Sequence, residues 1–232
     1  MKEIIGRKMG MTQVFAKDGT SYAVTVVEVL PNVVTQVKTN DVDGYSALQV
    51  GLEDAKESRL NKCEKGIFKK ANVSPKQHLF EIKGDELSSF TVGSEVKVDL
   101  FKAGDVVDVI GTSKGRGYLG AIQRYGFTIG PKGHGSGYHR QVGSFANNGR
   151  CNNRVLPGKR MSGHHGNKSA TLQNLLVVDV NAEKNYILIR GGLPGAKKSF
   201  VKIRSAIKTQ KGTKEVVKEL VNNKAEEVKQ EA

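Results

Sequence analysis

The sequence predicts a mainly β protein, with one β domain interrupted late in the chain by a long extended insertion rich in glycine, lysine and arginine. Three observations predict it. Runs rich in β-branched residues, such as YAVTVVEVL (22–30) and QNLLVVDV (173–180), recur between turn residues. Residues 111–170 hold 14 of the 27 glycines, and apolar periodicity is lost there. Strand patterning then resumes, so the insertion divides one domain instead of joining two.

Each element has its own signal. Thr12–Phe15 and Tyr22–Leu30 flank Lys17-Asp18-Gly19, where Asp-Gly marks a hairpin turn. Pro31-Asn32 breaks the second strand, and VVTQVKT resumes as the next. The turn Asp41–Gly44 leads into YSALQVGL. Residues 54–80 turn to Lys, Glu and Asn and lose strand periodicity, and Ser74-Pro75 marks a turn or helix start. They predict a small, partly helical insertion over about 54–95. SEVKVDLF (94–101) alternates as a strand should, and Ala103-Gly104-Asp105 turns the chain into VVDVIG. Within 111–170 only Leu119–Arg124 has the look of a helical turn or two. QNLLVVDV and NYILIRGG form a strand pair around Asn181–Lys184, and FVKIRSAI is a last strand. The expected organisation is a globular β domain over 1–110 and 171–208, the insertion over 111–170, and a charged tail over 209–232, helical or disordered.

Charge gives the insertion a purpose. The net charge is +14, yet no acidic residue stands between Asp108 and Asp179. Residues 111–170 carry ten cations: Lys114, Arg116, Arg124, Lys132, Arg140, Arg150, Arg154, Lys159, Arg160 and Lys168. The rest of the chain has 27 basic against 23 acidic residues, a net of only +4. A solubilising surface interleaves both signs, whereas a long single-sign segment is the footprint of a polyanion contact. Lys and Arg neutralise phosphates, and Arg also stacks on unpaired bases. Tyr118, Tyr125, Phe127, Tyr138 and Phe145 interleave with the charges and read equally as local packing or as base-stacking platforms. The absence of acid favours insertion among phosphates from several sides, which fits folded RNA. No helix-turn-helix, zinc-finger or heptad pattern is present to read DNA.

Other chemistries fare poorly. Gly115-Arg116-Gly117-Tyr118-Leu119-Gly120 matches GxGxxG, but a dinucleotide fold needs an acid about 20 residues on, where His139 and Arg140 stand. His134, His139, Cys151, His164 and His165 have no recognised zinc spacing, so no metal is expected, and the histidines are read as hydrogen-bonding or stacking on RNA. No carboxylate exists in the segment to orient a general base, so neither catalysis nor a cofactor or small-molecule substrate is expected. Cys63 and Cys151 lack CxxC partners, which fits a reducing compartment. No run is apolar enough for a signal peptide or a membrane span, so a soluble, cytoplasmic protein is expected.

GRKMGMTQVF (6–15), PNVVTQVKT (31–39), FKAGDVVDVIGTSKGRGYLGAIQRYGF (101–127), HGSGYHR (134–140), PGKRMSGHHGN (157–167) and QNLLVVDVNAEKNYILIRGGLPG (173–195) together carry a family likeness. From about residue 1 to 208 the chain closely resembles the family of the third protein of the large ribosomal subunit, bacterial type. The resemblance implies a closed β-barrel of the translation-protein type, a small α+β insertion, and a long finger that penetrates ribosomal RNA. It implies residence in the ribosome beside large-subunit rRNA and neighbouring ribosomal proteins, and binding early in subunit assembly. The rRNA-binding residues implied are the ten cations with His134, His139, His164 and His165. The finger tip, implied to lie near the peptidyl transferase centre, falls at Ser144, Phe145, Asn147, Asn148 and Arg150. Many bacterial relatives carry a glutamine, often methylated, after the Gly-Ser of the tip. Here Phe145 follows Gly143-Ser144, so that modification is not expected.

Overall fold

A computed structural model describes residues 2–84, 89–145, 154–208 and 218–221. The chain divides into two compact units, Met1–Thr112 with Ser169–Ala232, and Ser113–Lys168. The strands of the first half are β1 (Glu3–Phe15), β2 (Ser21–Glu28), β3 (Asn32–Lys38), β4 (Ala47–Asp54), β5 (Lys76–Ile82), β6 (Glu95–Val96) and β7 (Val106–Thr112). Those that follow are β8 (Tyr118–Leu119), β9 (Gly163–His164), β10 (Ser169–Asn181), β11 (Tyr186–Arg190) and β12 (Phe200–Ser205). The helices are α1 (Asn40–Asp43), α2 (Lys62–Ala71) and α3 (Ala121–Tyr125).

Six antiparallel strands close into a barrel in the order β1-β12-β7-β10-β11-β2. Closure depends on β1 serving two neighbours. Its first residues, Glu3–Arg7, pair with β12, and Arg7–Phe15 pair with β2 across a bulge between Lys8 and Gly10. Gly6 sits where a Cβ would meet Val27 Cγ1 at 2.6 Å and Glu28 O at 2.8 Å, so the closure admits no side chain there. The turn from β1 to β2 is built as the Asp-Gly signal requires. Gly19 has φ +84°, and the Thr20 N–H donates to Asp18 Oδ1 at 3.0 Å.

Alternate residues fill the barrel: Val107 and Val109, Ile187 and Ile189, Val201 and Ile203 are all buried in one cluster. A second sheet, β5-β4-β3-β6, shares that cluster through Val34, Val50, Leu52, Ile82 and Val96. Polar ties join the sheets. Asn32 Nδ2 donates to Ile5 O at 3.2 Å, and Lys202 Nζ donates to Glu81 O at 2.5 Å. Arg7 pairs with Glu53 at 2.5 Å and lies over the Phe200 ring at 4.9 Å.

The sequence reading departs from the structure in the first half. Residues 54–80 are helical in part, at α2, whose N-terminus is closed by a capping box between Asn61 and Glu64. The stretch is not free of strands, however, because β5 begins at Lys76 and pairs with β4 from Leu48↔Ile82 to Asp54↔Lys76. KQHLFEI hid this because it is a half-exposed edge strand with polar residues on both faces. SEVKVDLF yields only the two-residue β6, followed by a 3₁₀ turn at Val98–Leu100. Val96 and Val98 are buried as alternation demands, but only Asn32 and Val33 are there to pair with. Three of the strands expected in one β domain therefore make, with β5, a separate sheet. Of the charged tail, only residues 218–221 are described, and they carry a bridge between Leu220 and Ala16.

Candidate nucleic-acid interface

The chain leaves the barrel at Thr112 and re-enters it at Ser169, the terminal pair of the β7–β10 ladder. The buried Asp108 carboxylate steadies that ladder. It accepts from the Asn174 N–H at 3.0 Å and meets Arg204 at 3.6 Å. Asn174 has φ +55° within the irregularity between Leu172 and Leu175. Asp108 is also the last acid before the insertion.

Inside Ser113–Lys168 the outgoing and returning arms are zipped by backbone bonds. The Ser113 N–H donates to Lys168 O at 2.9 Å, and the Ser113 hydroxyl accepts from the Lys168 N–H at 3.2 Å. The Arg116 N–H donates to His165 O, and the His165 N–H donates to Gly117 O, each at 2.9 Å. β8 and β9 extend the ladder. Glycine makes the approach possible. Gly166 has φ +76°, and a Cβ there would run into Lys114 O.

This zipper brings together residues that the sequence separates. Lys114, Arg116, Arg124, His164, His165 and Lys168 line one open cleft of about 580 Å³ with Ser113, Tyr125 and Gly166. Arg124 is fixed from within, since its Nη1 donates to Met161 O at 2.9 Å and its guanidinium lies 5.0 Å over Tyr125. The Arg160 guanidinium lies 5.5 Å from the same ring. Tyr118 meets His164 edge-on at 6.0 Å and shares a hydrogen bond with Ser162 at 3.2 Å. Tyr125 also packs against Phe127 at 6.0 Å. Three of the five interleaved aromatics thus have local packing. Tyr118, Tyr125, Tyr138 and Phe145 are nonetheless exposed, Tyr118 the most of the four.

The other expected site residues lie outside the cleft. Lys132, His134, His139, Arg140, Arg154 and Arg160 are exposed, and Lys159 is partly so. His139 Nδ1 is 2.7 Å from Pro131 O, which holds the ring within its own turn. Lys159 Nζ donates to Ser144 O at 3.4 Å, bringing one expected cation to one expected tip residue. Asn147, Asn148, Arg150 and Cys151 lie outside the described residues.

Among the described residues, no cation of this unit is ion-paired. Four cations converge on one cleft with no carboxylate among its described lining residues, so the cleft suits an anion. Its open form and its lysine and arginine lining suit phosphodiesters better than an enclosed small molecule. Also among the described residues, no group of three or more His, Cys, Asp or Glu could hold a metal ion. No described helix is long and apolar enough to cross a membrane. Ser113 and Gly166 escaped the sequence reading. A small residue at each end of the segment was their only signal.

A family model described as Ribosomal protein L3 matches residues 80–185. The chain is also similar to curated proteins named large ribosomal subunit protein uL3. That of Oceanobacillus iheyensis is 52% identical over 89% of this chain and 98% of its own length. That of Halalkalibacterium halodurans is 51% identical over 90% and 99%, and that of Lactobacillus helveticus 53% over 92% and 99%.

Proposed function

The chain belongs to the ribosomal protein L3 family, and from that membership we propose that it is a structural constituent of the large ribosomal subunit that binds large-subunit rRNA directly. The family is a structural component of the ribosome and not an enzyme. In this reading peptide-bond chemistry belongs to RNA, and the protein supplies charge neutralisation and shape. Its partners are the rRNA and neighbouring large-subunit proteins, and its location is the ribosome in the cytoplasm.

The observation that carries the RNA contact is the acid-free cleft lined by Lys114, Arg116, Arg124 and Lys168. Its cations sit at the base of the two zipped arms, where phosphate contacts would fix the register of everything beyond them. Lys132, Arg140, Arg154, Lys159 and Arg160, with His134 and His139, then continue the contact along the arms. On the family resemblance, the proposal extends to the tip residues Ser144, Phe145, Asn147, Asn148 and Arg150 lying near the peptidyl transferase centre. Binding early in subunit assembly is part of the same proposal.

Sedimentation of a cell lysate at low and high salt tests this reading. One copy per large-subunit particle, retained at high salt, is the expected result. Migration to light fractions as salt rises would overturn it in favour of a transient, mainly electrostatic assembly factor.

A further inference from the structure

The β1–β2 hairpin extends past the point where β12 covers β1. β12 pairs with Glu3–Arg7, whereas from Gly10 to Phe15 β1 is paired in the barrel with β2 alone. An edge of this kind offers unpaired backbone groups to any extended chain. Met11 and Phe15 on it are about half exposed.

The outward face beside that edge is also apolar. Tyr22 and Val24 on β2 and Leu188 on β11 alternate with the barrel-filling Val27, Ile187 and Ile189, so they point to the other side of the sheet. Such a face is normally wet. Here Val24 is fully buried, and Ala16, Tyr22, Val178 and Leu188 are at least nine-tenths buried. Leu220 packs against this cluster.

Three kinds of contact place residues 218–221 there. Backbone bonds run from the Lys17 N–H to Glu219 O at 2.9 Å and from the Val221 N–H to Phe15 O at 3.0 Å. They flank the antiparallel bridge Ala16↔Leu220. Lys17 pairs with Glu219 at 2.7 Å, and Lys218 pairs with Asp18, the residue that shapes the hairpin turn. Leu220 supplies the apolar contact. Charge order, strand register and one half-buried side chain agree on a single alignment. The segment lies beyond about residue 208, where the family resemblance ends.

We propose that the outer edge of the β1–β2 hairpin is a strand-docking site whose occupant is the chain's own segment Lys218–Val221. The segment acts as a latch. It holds the C-terminal part of the chain on the barrel, covers the second apolar cluster, and closes an edge that would otherwise pair with another molecule.

The test is amide hydrogen exchange on the full chain. The Lys17 and Val221 amides report the latch directly, because their acceptors lie across the docking contact. In the wild-type chain both should exchange at least tenfold more slowly than in an unstructured peptide. Leu220→Asp should remove that protection and leave the Val27 and Ile189 amides of the barrel unchanged. Asp18→Lys should weaken it, and adding Lys218→Asp to Asp18→Lys should restore it. Free-peptide rates at Lys17 and Val221 in the wild type would overturn the proposal. So would unchanged protection in Leu220→Asp, or failure of the paired charge exchange to recover what the single change loses.

Discussion

In the barrel unit Arg7 meets Glu53, Lys76 meets Asp54, and Arg204 meets Asp108, whereas in the inserted unit Lys114, Arg116 and Lys168 meet no carboxylate among the described residues. Both units contain arginine and lysine, but they use them differently. A cation facing a carboxylate satisfies its field within the fold and serves register and closure. Arg7, for example, joins the barrel to the second sheet while stacking on Phe200. A cation facing only other cations raises the local potential and awaits an external anion. In the proposed reading the same residue types therefore serve stability in one unit and RNA recognition in the other. The deciding variable is where acids are absent, and the sequence displays that directly.

The comparison breaks if substitutions in the two units have the same readout. The largest expected effect is on RNA. Changing Lys114, Arg116 and Arg124 together to Ala should remove about three phosphate contacts, flattening the log–log salt dependence of rRNA binding by about 2 to 3 units. At 0.1 M salt that is a loss of affinity of about two to three powers of ten, read as failure to enter the large-subunit peak. Wild-type incorporation would sink the cleft assignment. Next in size is Asp108→Ala in the barrel unit. It strips a buried acceptor from the Asn174 N–H and leaves Arg204 unpaired, so it should lower unfolding stability by about 3 kcal/mol. A denaturant midpoint measures this, and an unchanged midpoint would show that the carboxylate does not hold the ladder.

Smaller effects sharpen the contrast. Arg124→Lys keeps the charge but cannot both reach Met161 O and stack on Tyr125, and should cost about 1 kcal/mol of RNA binding, roughly fivefold. A filter-binding titration reads it, and a thirtyfold loss or none would reject the positioning role. The smallest effect is a pH response at the hairpin. Lys218, with Thr20, holds the Asp18 carboxyl at about 2, below its ordinary 3.8. A depressed carboxylate stabilises the docked form above its ordinary pKa and loses that contribution as pH falls through its depressed one. Lys17, facing Glu219, lowers that carboxyl too. The Leu220 methyl resonances should thus stay at their docked positions down to about pH 4 and move between about pH 4 and pH 2. Movement already near pH 6 would show that these carboxylates do not hold the segment.

Much of this was legible in the sequence, and the physics says why. Asp18-Gly19 fixed the hairpin because few residues accept a positive φ. QNLLVVDV and NYILIRGG read as paired strands because burial on the barrel selects β-branched residues. Of the helical turn expected over Leu119–Arg124, residues Ala121–Arg124 lie in α3, which runs from Ala121 to Tyr125 and ends on Gly126, whereas Leu119 belongs to β8. β5 was hidden because an edge strand needs little apolar content. The cleft was half legible. Its cations were visible as residue types, but their convergence depends on the register between two glycine-rich arms. That register is set by backbone bonds such as Arg116 N–H to His165 O, and backbone bonds leave no side-chain pattern. The docking of Leu220 on the cluster around Tyr22 and Val24 was illegible for a different reason, because the apolar residues of KEVVKELV are spaced as in a helix and announce no strand.

The most direct measurement is ultraviolet cross-linking of purified large subunits, with peptides bonded to RNA identified by mass spectrometry. If unpaired cations carry the RNA contact, cross-links should concentrate in Ser113–Lys168, with peptides bearing Arg116, Tyr118 and His164–Lys168 prominent. Equal cross-linking of the β3–β6 sheet and its ion-paired lysines, with the cleft peptides unmodified, would contradict the division of labour between the two units.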